Sequence, residues 1–399
     1  FNAITLVGTC SVTMDANKSV AANFGKEEPV ISEEPPDSVW EIDQLSFPRD
    51  VVVASDGNIY VADSASHSIK KFTSEGDFVW KIGKLGDWLG AQGTGDGEFT
   101  FPFSVTAAPD GFYVAENSNN RIQKFDLSGG FVSKWGSSGA GDGEFNQPQG
   151  VAVASNGIAV TAVYVADKGN NRIQKFTSEG AFVSEWGTQG SGDGDFNHPR
   201  GVAVAPNGNV YVVDSYGYRI QYFTANGVFI GKWGKLGSAD GEFLRPKGIA
   251  VASDGSVYVA DTHNHRIQKF TANGDFISKW GSQGDGQGQF ESPRGVAVAP
   301  NGNVYVADTE NGRIQKFGAT EEPVTEFTLD TTAVPTAGGD LTGGGDYPPD
   351  TSVTVIATPS AGYTFADANW SVAPGDCETK TFNAITLVGT CSVTMDANK

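Results

Sequence analysis

The chain has 399 residues, 27 of them Lys or Arg and 47 Asp or Glu, for a formal net charge of −20 at pH 7. A field of that sign repels phosphate, which excludes a general affinity for nucleic acid or for an anionic membrane. With 52 Gly, 18 Pro, 11% aromatic residues and no window of helical periodicity, the composition calls for an all-β fold rich in tight turns, and no run approaches the 18 apolar residues of a membrane span.

The first 18 residues, FNAITLVGTCSVTMDANK, recur unchanged at 382–399, and a strand pattern, SVAANF, follows at Ser19–Phe24. Phe1 opens in mid-strand pattern, without the charged and apolar regions of a secretory signal peptide, so the start is expected to be a cut. Residues 25–37, GKEEPVISEEPPD, read as a linker that Pro stiffens and like charges extend. Ser38–Asp43, SVWEID, matches FVWKIG at Phe78–Gly83, with Trp40 on Trp80 and Ile42 on Ile82.

One motif then recurs six times, beginning at Pro48, Pro102, Pro148, Pro199, Pro246 and Pro293. The spacings of 54, 46, 51, 47 and 47 residues suit a propeller or array. Each unit reads as four strands. GVAVA and VYVAD are joined by an Asn-Gly or Asp-Gly hairpin turn, RIQKF follows, and an aromatic outer strand such as DFISKW comes last. Four-stranded units bury both faces only by stacking. A Gly-Asp-Gly-x-Phe connector, as at Gly141–Phe145 and Gly192–Phe196, places Phe at the start of the next unit. The sixth unit ends after RIQKF and lacks an outer strand, which Ser38–Asp43 is expected to supply, closing a ring over 38–317. These motifs resemble the NHL repeat. The resemblance implies a six-bladed β-propeller whose upper face and central channel bind ligands, in a family of RNA binders, interaction modules and a few enzymes.

After a second Glu/Pro-rich linker at 318–326, residues 327–399 carry a GGG-x-Y turn, ATPSAGYTF, a central Trp and a Cys pair. They resemble the divergent internalin B-type repeat of bacterial surface proteins, a small β-rich domain. Residues 1–24 then read as the C-terminal half of a preceding copy, and 327–399 as a copy lacking its last strand. On this reading the chain is one 381-residue period of a tandem array, although strand donation between separate subunits stays open. Within the resemblance, Cys377 and Cys391 pair as a disulfide, and Cys10, the equivalent of Cys391, has its partner outside the chain. Such bonds imply an extracellular or cell-surface location.

An acid precedes an Arg by five residues in Asp167/Arg172, Asp214/Arg219, Asp261/Arg266, Asp308/Arg313 and Glu116/Arg121, while Asp63 faces Ser68. The regular recurrence favours a structural pair over catalytic acids. The residue after each Pro reads Arg49, Phe103, Gln149, Arg200, Lys247 and Arg294. Four cations then ring one mouth of an acidic protein, where they either focus an anionic ligand or pair with neighbouring acids. Tyr216, Tyr218, His263 and His265 stand in adjacent loops, as sugar-stacking groups or as ordinary loop residues. Amidating lyases among the NHL proteins hold zinc through histidines after the Pro. His never occupies that position here, so no metal, cofactor or catalytic residue is expected. The connector carboxylates lack EF-hand spacing and leave calcium open.

Two functions follow as expectations. One is a non-enzymatic structural or adhesive surface protein built as a filament of repeated units. The other is a module that recognises an acidic glycan or acidic peptide at the cationic mouth. A propeller lyase or hydrolase ranks below both, because no residue set supports it.

Overall fold

A computed structural model describes residues 38–83 and 93–318, and as backbone strands 9–14, 18–25, 327–333, 339–342, 345–347, 352–359, 365–372, 379–383 and 388–394. The chain divides into two units, 33–320 with the first two residues, and 3–32 with 321–399.

The first unit is a six-bladed propeller of four-stranded antiparallel sheets. Blade 1 runs through Pro48–Val53, Ile59–Asp63, Ser68–Phe72 and Phe78–Ile82. Blade 6 takes three strands from Val296–Val298, Val304–Asp308 and Arg313–Phe317, and its outer strand is Ser38–Ile42. Ile314 pairs with Ile42 and Lys316 with Trp40, as Ile69 pairs with Ile82 and Lys71 with Trp80. The ring closes as the sequence predicts, and the outer edge of the Arg313–Phe317 strand is covered.

The core consists of contacts between neighbouring blades. Ile42, Val51, Ile59 and Val61 pack with Ala297, Tyr305, Ala307 and Ile314, joining the last blade to the first. The connector phenylalanines Phe99, Phe145, Phe196, Phe243 and Phe290 are fully buried, and Phe145 lies 5.6 Å from Phe176 of the following blade. Leu45 takes that place before blade 1. Blade-to-blade hydrogen bonds reinforce the packing: the hydroxyls of Tyr164 and Tyr211 donate to the carbonyls of Ala225 and Ala272 at 3.0 and 2.9 Å.

The acid–arginine repeat is the internal fastening of each blade. Asp167, Asp214, Asp261 and Asp308 are buried and accept from the Nε of Arg172, Arg219, Arg266 and Arg313 at 2.8–2.9 Å. The second oxygen of each acid accepts a backbone amide from the connector, as Leu244 N–H donates to Asp261 Oδ1 at 2.8 Å. Arg266 Nη1 and Nη2 donate to the carbonyls of Ser238, Ala239 and Glu242. In blade 1, where Ser68 replaces the Arg, Lys70 Nζ reaches Asp63 at 2.6 Å. These acids are structural, as their recurrence indicates.

In the second unit, the Lys18–Gly25 strand pairs antiparallel with Phe327–Ala333, and Thr9–Met14 pairs with Phe365–Val372. The repeated sequence at Val388–Thr394 pairs instead with Ser352–Pro359 and Thr379–Asn383. Cys377, and with it the expected disulfide, lies outside the described residues, as do the linker residues 26–37 and 319–326.

Candidate ligand-binding mouth

At the start of each innermost strand the chain passes over the rim of the ring and down into the channel. The residue before each Pro makes that turn in the left-handed region: Phe47, Phe101, Gln147, His198, Arg245 and Ser292 have φ between 49° and 67°. Residues before Pro normally avoid this conformation, so six non-glycine examples at one level are strain held in place by the surrounding blades.

Pro then leads to the predicted position. In blades 3–6 a glycine follows it, and a Cβ on Gly201 would sit 2.4 Å from the Lys247 carbonyl, one on Gly248 2.1 Å from that of Arg294. The missing side chains let adjacent innermost strands close in, which brings the post-proline cations together.

The structure places Arg49, Arg200, Lys247 and Arg294 around one mouth cavity of about 330 Å³. They also line a channel of about 360 Å³ walled by the innermost strands. Tyr216 and His263 join them at the rim, whereas Tyr218 and His265 are not among the lining residues. Tyr218 holds the left-handed turn position of its blade, as Asn120, Asn171 and His265 do in theirs. Four lining residues escape the sequence reading, Asn117, Gln147, Lys168 and Arg245, of which the last two bring the basic side chains to six; Phe47, outside the lining, stacks against Arg49 and Arg294. The residues lining the mouth include no acid.

These cations are organised by aromatic rings more than by carboxylates. Arg49 lies 3.8 Å over Phe103 and 5.1 Å from Phe47, and Arg294 lies 4.8 Å from the same Phe47 ring. Arg245 faces Tyr216 at 5.0 Å, and Arg200 Nη1 donates to Gln149 Oε1 at 3.1 Å. Arg294 Nη2 has Glu310 Oε1 at 3.6 Å, just beyond hydrogen-bond range. The Nε groups of Arg49, Arg200 and Arg294 are buried and have no hydrogen-bond partner among the described residues. Burial, followed by repulsion from Arg294 and Arg200, pulls Arg49 down to about 9. Burial, then the three surrounding guanidinium groups, pulls Lys247 down to about 6. Burial, followed by Lys247 and Arg245, pushes His263 down to about 4, leaving its imidazole neutral.

Lower in the channel, Asp50 occupies the glycine position of blade 1. Its Oδ2 accepts Val105 N–H at 3.1 Å from blade 2, and burial pushes it up to about 7. The connector carboxylates are engaged elsewhere: Glu144 accepts Gly141 N–H at 2.9 Å and Asp193 pairs with Lys232 at 2.5 Å. Among the described residues no group of three or more His, Cys, Asp or Glu side chains is placed to hold a metal ion.

Chemically, the mouth can take up negative charge. It offers six basic side chains without an acid in the lining, and aromatic rings beside them.

Comparison with known proteins agrees with the architecture. The NHL repeat family matches residues 45–72, 145–176, 196–223, 243–270 and 290–317. The unmatched repeat is blade 2, which has Phe103-Ser104 after its Pro and Glu116 in place of Asp. The divergent InlB B-repeat domain family matches residues 329–398. Among solved structures, a streptogramin B lyase is similar at 16% identity and TM-score 0.50, covering 73% of this chain and 97% of the other. A catalytically inactive virginiamycin B lyase from Staphylococcus aureus with quinupristin is 16% identical at TM-score 0.47, over 79% and 97% of the two chains. The WD40 propeller domain of Doa1 is 12% identical at TM-score 0.49, over 72% and 97%. At such identities the first likeness speaks to fold alone.

Proposed function

Because the chain is an NHL-repeat β-propeller joined to a divergent InlB B-repeat domain, we propose that it is a bacterial surface binding module whose cationic mouth recognises an anionic ligand, an acidic glycan or an acidic peptide. One observation carries this reading: six basic side chains converge on one mouth whose lining includes no acid. The charge is local. A chain of net charge −20 with six basic side chains at one rim attracts anions there and repels them elsewhere.

Isothermal titration of the intact chain with a sulfated or uronic-acid oligosaccharide and with a Glu-rich peptide tests the proposal. Saturable binding lost in Arg200→Glu and Arg294→Glu is the expected result. Equal affinity in both variants and the wild type would remove the mouth from consideration. The module is taken to bind without turning over its ligand.

A second reading concerns assembly and is favoured by strand pairing in the second unit. Lys18–Gly25 lies beside Phe327–Ala333, so a segment N-terminal to the ring completes the sheet of the domain C-terminal to it. With the 18-residue duplication, this suits units repeated along a covalent surface fibre, each completing the domain of its neighbour. The denatured, reduced mass of the natural material tests it. Multiples of the 381-residue period support the fibre, and the mass of a single chain refutes it.

A further inference from the structure

Lys247 differs from the other cations of the mouth. An arginine keeps its charge under almost any surroundings, whereas a lysine amine gives up its proton when desolvated and crowded by like charge. Lys247 is half-buried, lines both the mouth and the channel, and makes no ion pair among the described residues. Arg294, Arg200 and Arg49 act on it from three other blades, Glu310 is the acid that opposes them, and His263 lies within its field. Arg294 is the member of this group that Glu310 partly neutralises, at 3.6 Å.

We propose that Lys247 is a carbonyl-capturing amine, which condenses reversibly with small aldehydes or 2-oxo acids whose anionic group is held by the surrounding arginines. The inference rests on the anion-binding reading of the mouth and adds a covalent step to it. Burial and the three guanidinium groups lower the Lys247 amine to about 6, so at neutral pH most of it carries an unprotonated lone pair. That lone pair attacks the carbonyl carbon, a C–N bond forms as the C=O π bond breaks, and one of the two amine protons passes to the oxygen. The carbinolamine then loses water: the C–O bond breaks, the nitrogen lone pair forms the C=N bond, and the one proton left on nitrogen departs with the hydroxyl as water. Amine plus carbonyl gives imine plus water, with no oxidant or reductant involved. The arginines serve twice, suppressing protonation of the amine and holding the ligand's carboxylate or phosphate beside it.

The ligand class follows from the space and the charge. A cavity of about 330 Å³ without an acidic wall suits a compact carbonyl compound with an adjacent anion. A neutral aldehyde would gain the reactive amine but lose the electrostatic capture.

The test uses pyridoxal 5′-phosphate, with pyridoxal as the uncharged control and borohydride to reduce any imine to a stable secondary amine. Peptide mapping of the intact chain is expected to find one dominant adduct at Lys247. It should form at least tenfold faster than with pyridoxal, be suppressed by excess sulfate and be absent in Lys247→Arg. Glyoxylate with cyanoborohydride should label the same residue. Labelling spread over exposed lysines such as Lys134, Lys232 and Lys279, with Lys247 no faster than these, would overturn the proposal. Titration with a sulfated oligosaccharide separates the two ideas. Anion binding without a Lys247 adduct leaves the mouth as a binding site and removes the covalent step, and loss of both removes both.

Discussion

Asp261 and Arg266 stand five residues apart on neighbouring strands and meet at 2.8 Å, with the acid fully excluded from solvent. The remaining guanidinium donors of Arg266 hold three carbonyls of the connector between blades 4 and 5. One pair therefore fastens a hairpin and the loop that delivers Phe243 to the core. Arg266→Ala strands a buried carboxylate and should cost about 3–5 kcal/mol in urea unfolding followed by Trp fluorescence. The double variant Asp261→Asn/Arg266→Met should lose less than the sum of the single variants. Strict additivity would show that the two side chains act independently.

Ring closure has its own signature. Ile42 is buried between blades 6 and 1 and pairs with Ile314. Ile42→Ala should lower stability by about 2–5 kcal/mol, a cost comparable to that of Ile314→Ala. Size-exclusion chromatography at raised temperature should also show new oligomers, because a loosened outer strand exposes the edge of Arg313–Phe317. An unchanged melting curve would mean that the sixth blade holds together without its N-terminal strand.

Phe103 interrupts the cationic series, yet the Arg49 guanidinium rests on its ring at 3.8 Å. Phe103→Ala should cost about 0.5–2 kcal/mol of stability through the lost cation–π contact. It should also weaken anion binding, because Arg49 loses the surface that orients it. Calorimetry of the variant against the wild type at one salt concentration measures the second effect. Affinity equal to wild type would leave Phe103 a purely structural role.

Asp50 and Lys247 tilt the pH profile of stability in opposite directions. The folded protein keeps the Asp50 proton up to about pH 7, so this group's contribution falls as pH rises from the unfolded carboxylate value to there. Lys247 releases its proton at about 6 when folded but only near 10.5 when unfolded, so its contribution rises across that upper range. Together they predict a shallow stability minimum near pH 6–7. Asp50→Asn should flatten the acidic limb. The melting temperature of Lys247→Met should exceed wild type by its full margin at and below about pH 6, with the margin shrinking toward pH 10. Calorimetric scans across pH 4–10 check both limbs, and a constant margin for Lys247→Met would rule out the depressed amine.

Much of the ring is readable from residues alone, because its physics repeats. The Asp-x4-Arg spacing, the connector Phe and the alternation of VYVAD each recur at one structural level, so one blade predicts the next. Ser38–Asp43 is recognisable because Trp40 and Ile42 fall on Trp80 and Ile82. The mouth is different, since it depends on residues that do not recur. Phe47 and Arg245 precede a Pro, where the expected backbone is extended; with the left-handed turn seen here, Arg245 lines the mouth and Phe47 packs against Arg49 and Arg294. Tyr216 and Tyr218 are two residues apart in one loop, yet only the first lines the cavity, because the second holds the turn. Asp50 stands where blades 3–6 have glycine, an exception that becomes informative only once Val105 is found donating to it. That three arginine Nε groups lack partners among the described residues is a property of packing, which no spacing rule expresses.

The strand that closes the ring also sets how the propeller would carry a load. Ser38, where the chain enters, is the register partner of Phe317, where it leaves. The entry and exit points are therefore about 5 Å apart, the spacing of paired antiparallel residues. A pull on both ends would part this strand pair from one end, one hydrogen bond after another, like a zipper. Shearing all the bonds at once would demand far more force. In a strung series of such rings each propeller would hang to the side of the line of tension and add almost nothing to its resting length. Under strain it would open at its sixth blade first, releasing some of the 280 residues between Ser38 and Phe317 as slack before any other blade gives way.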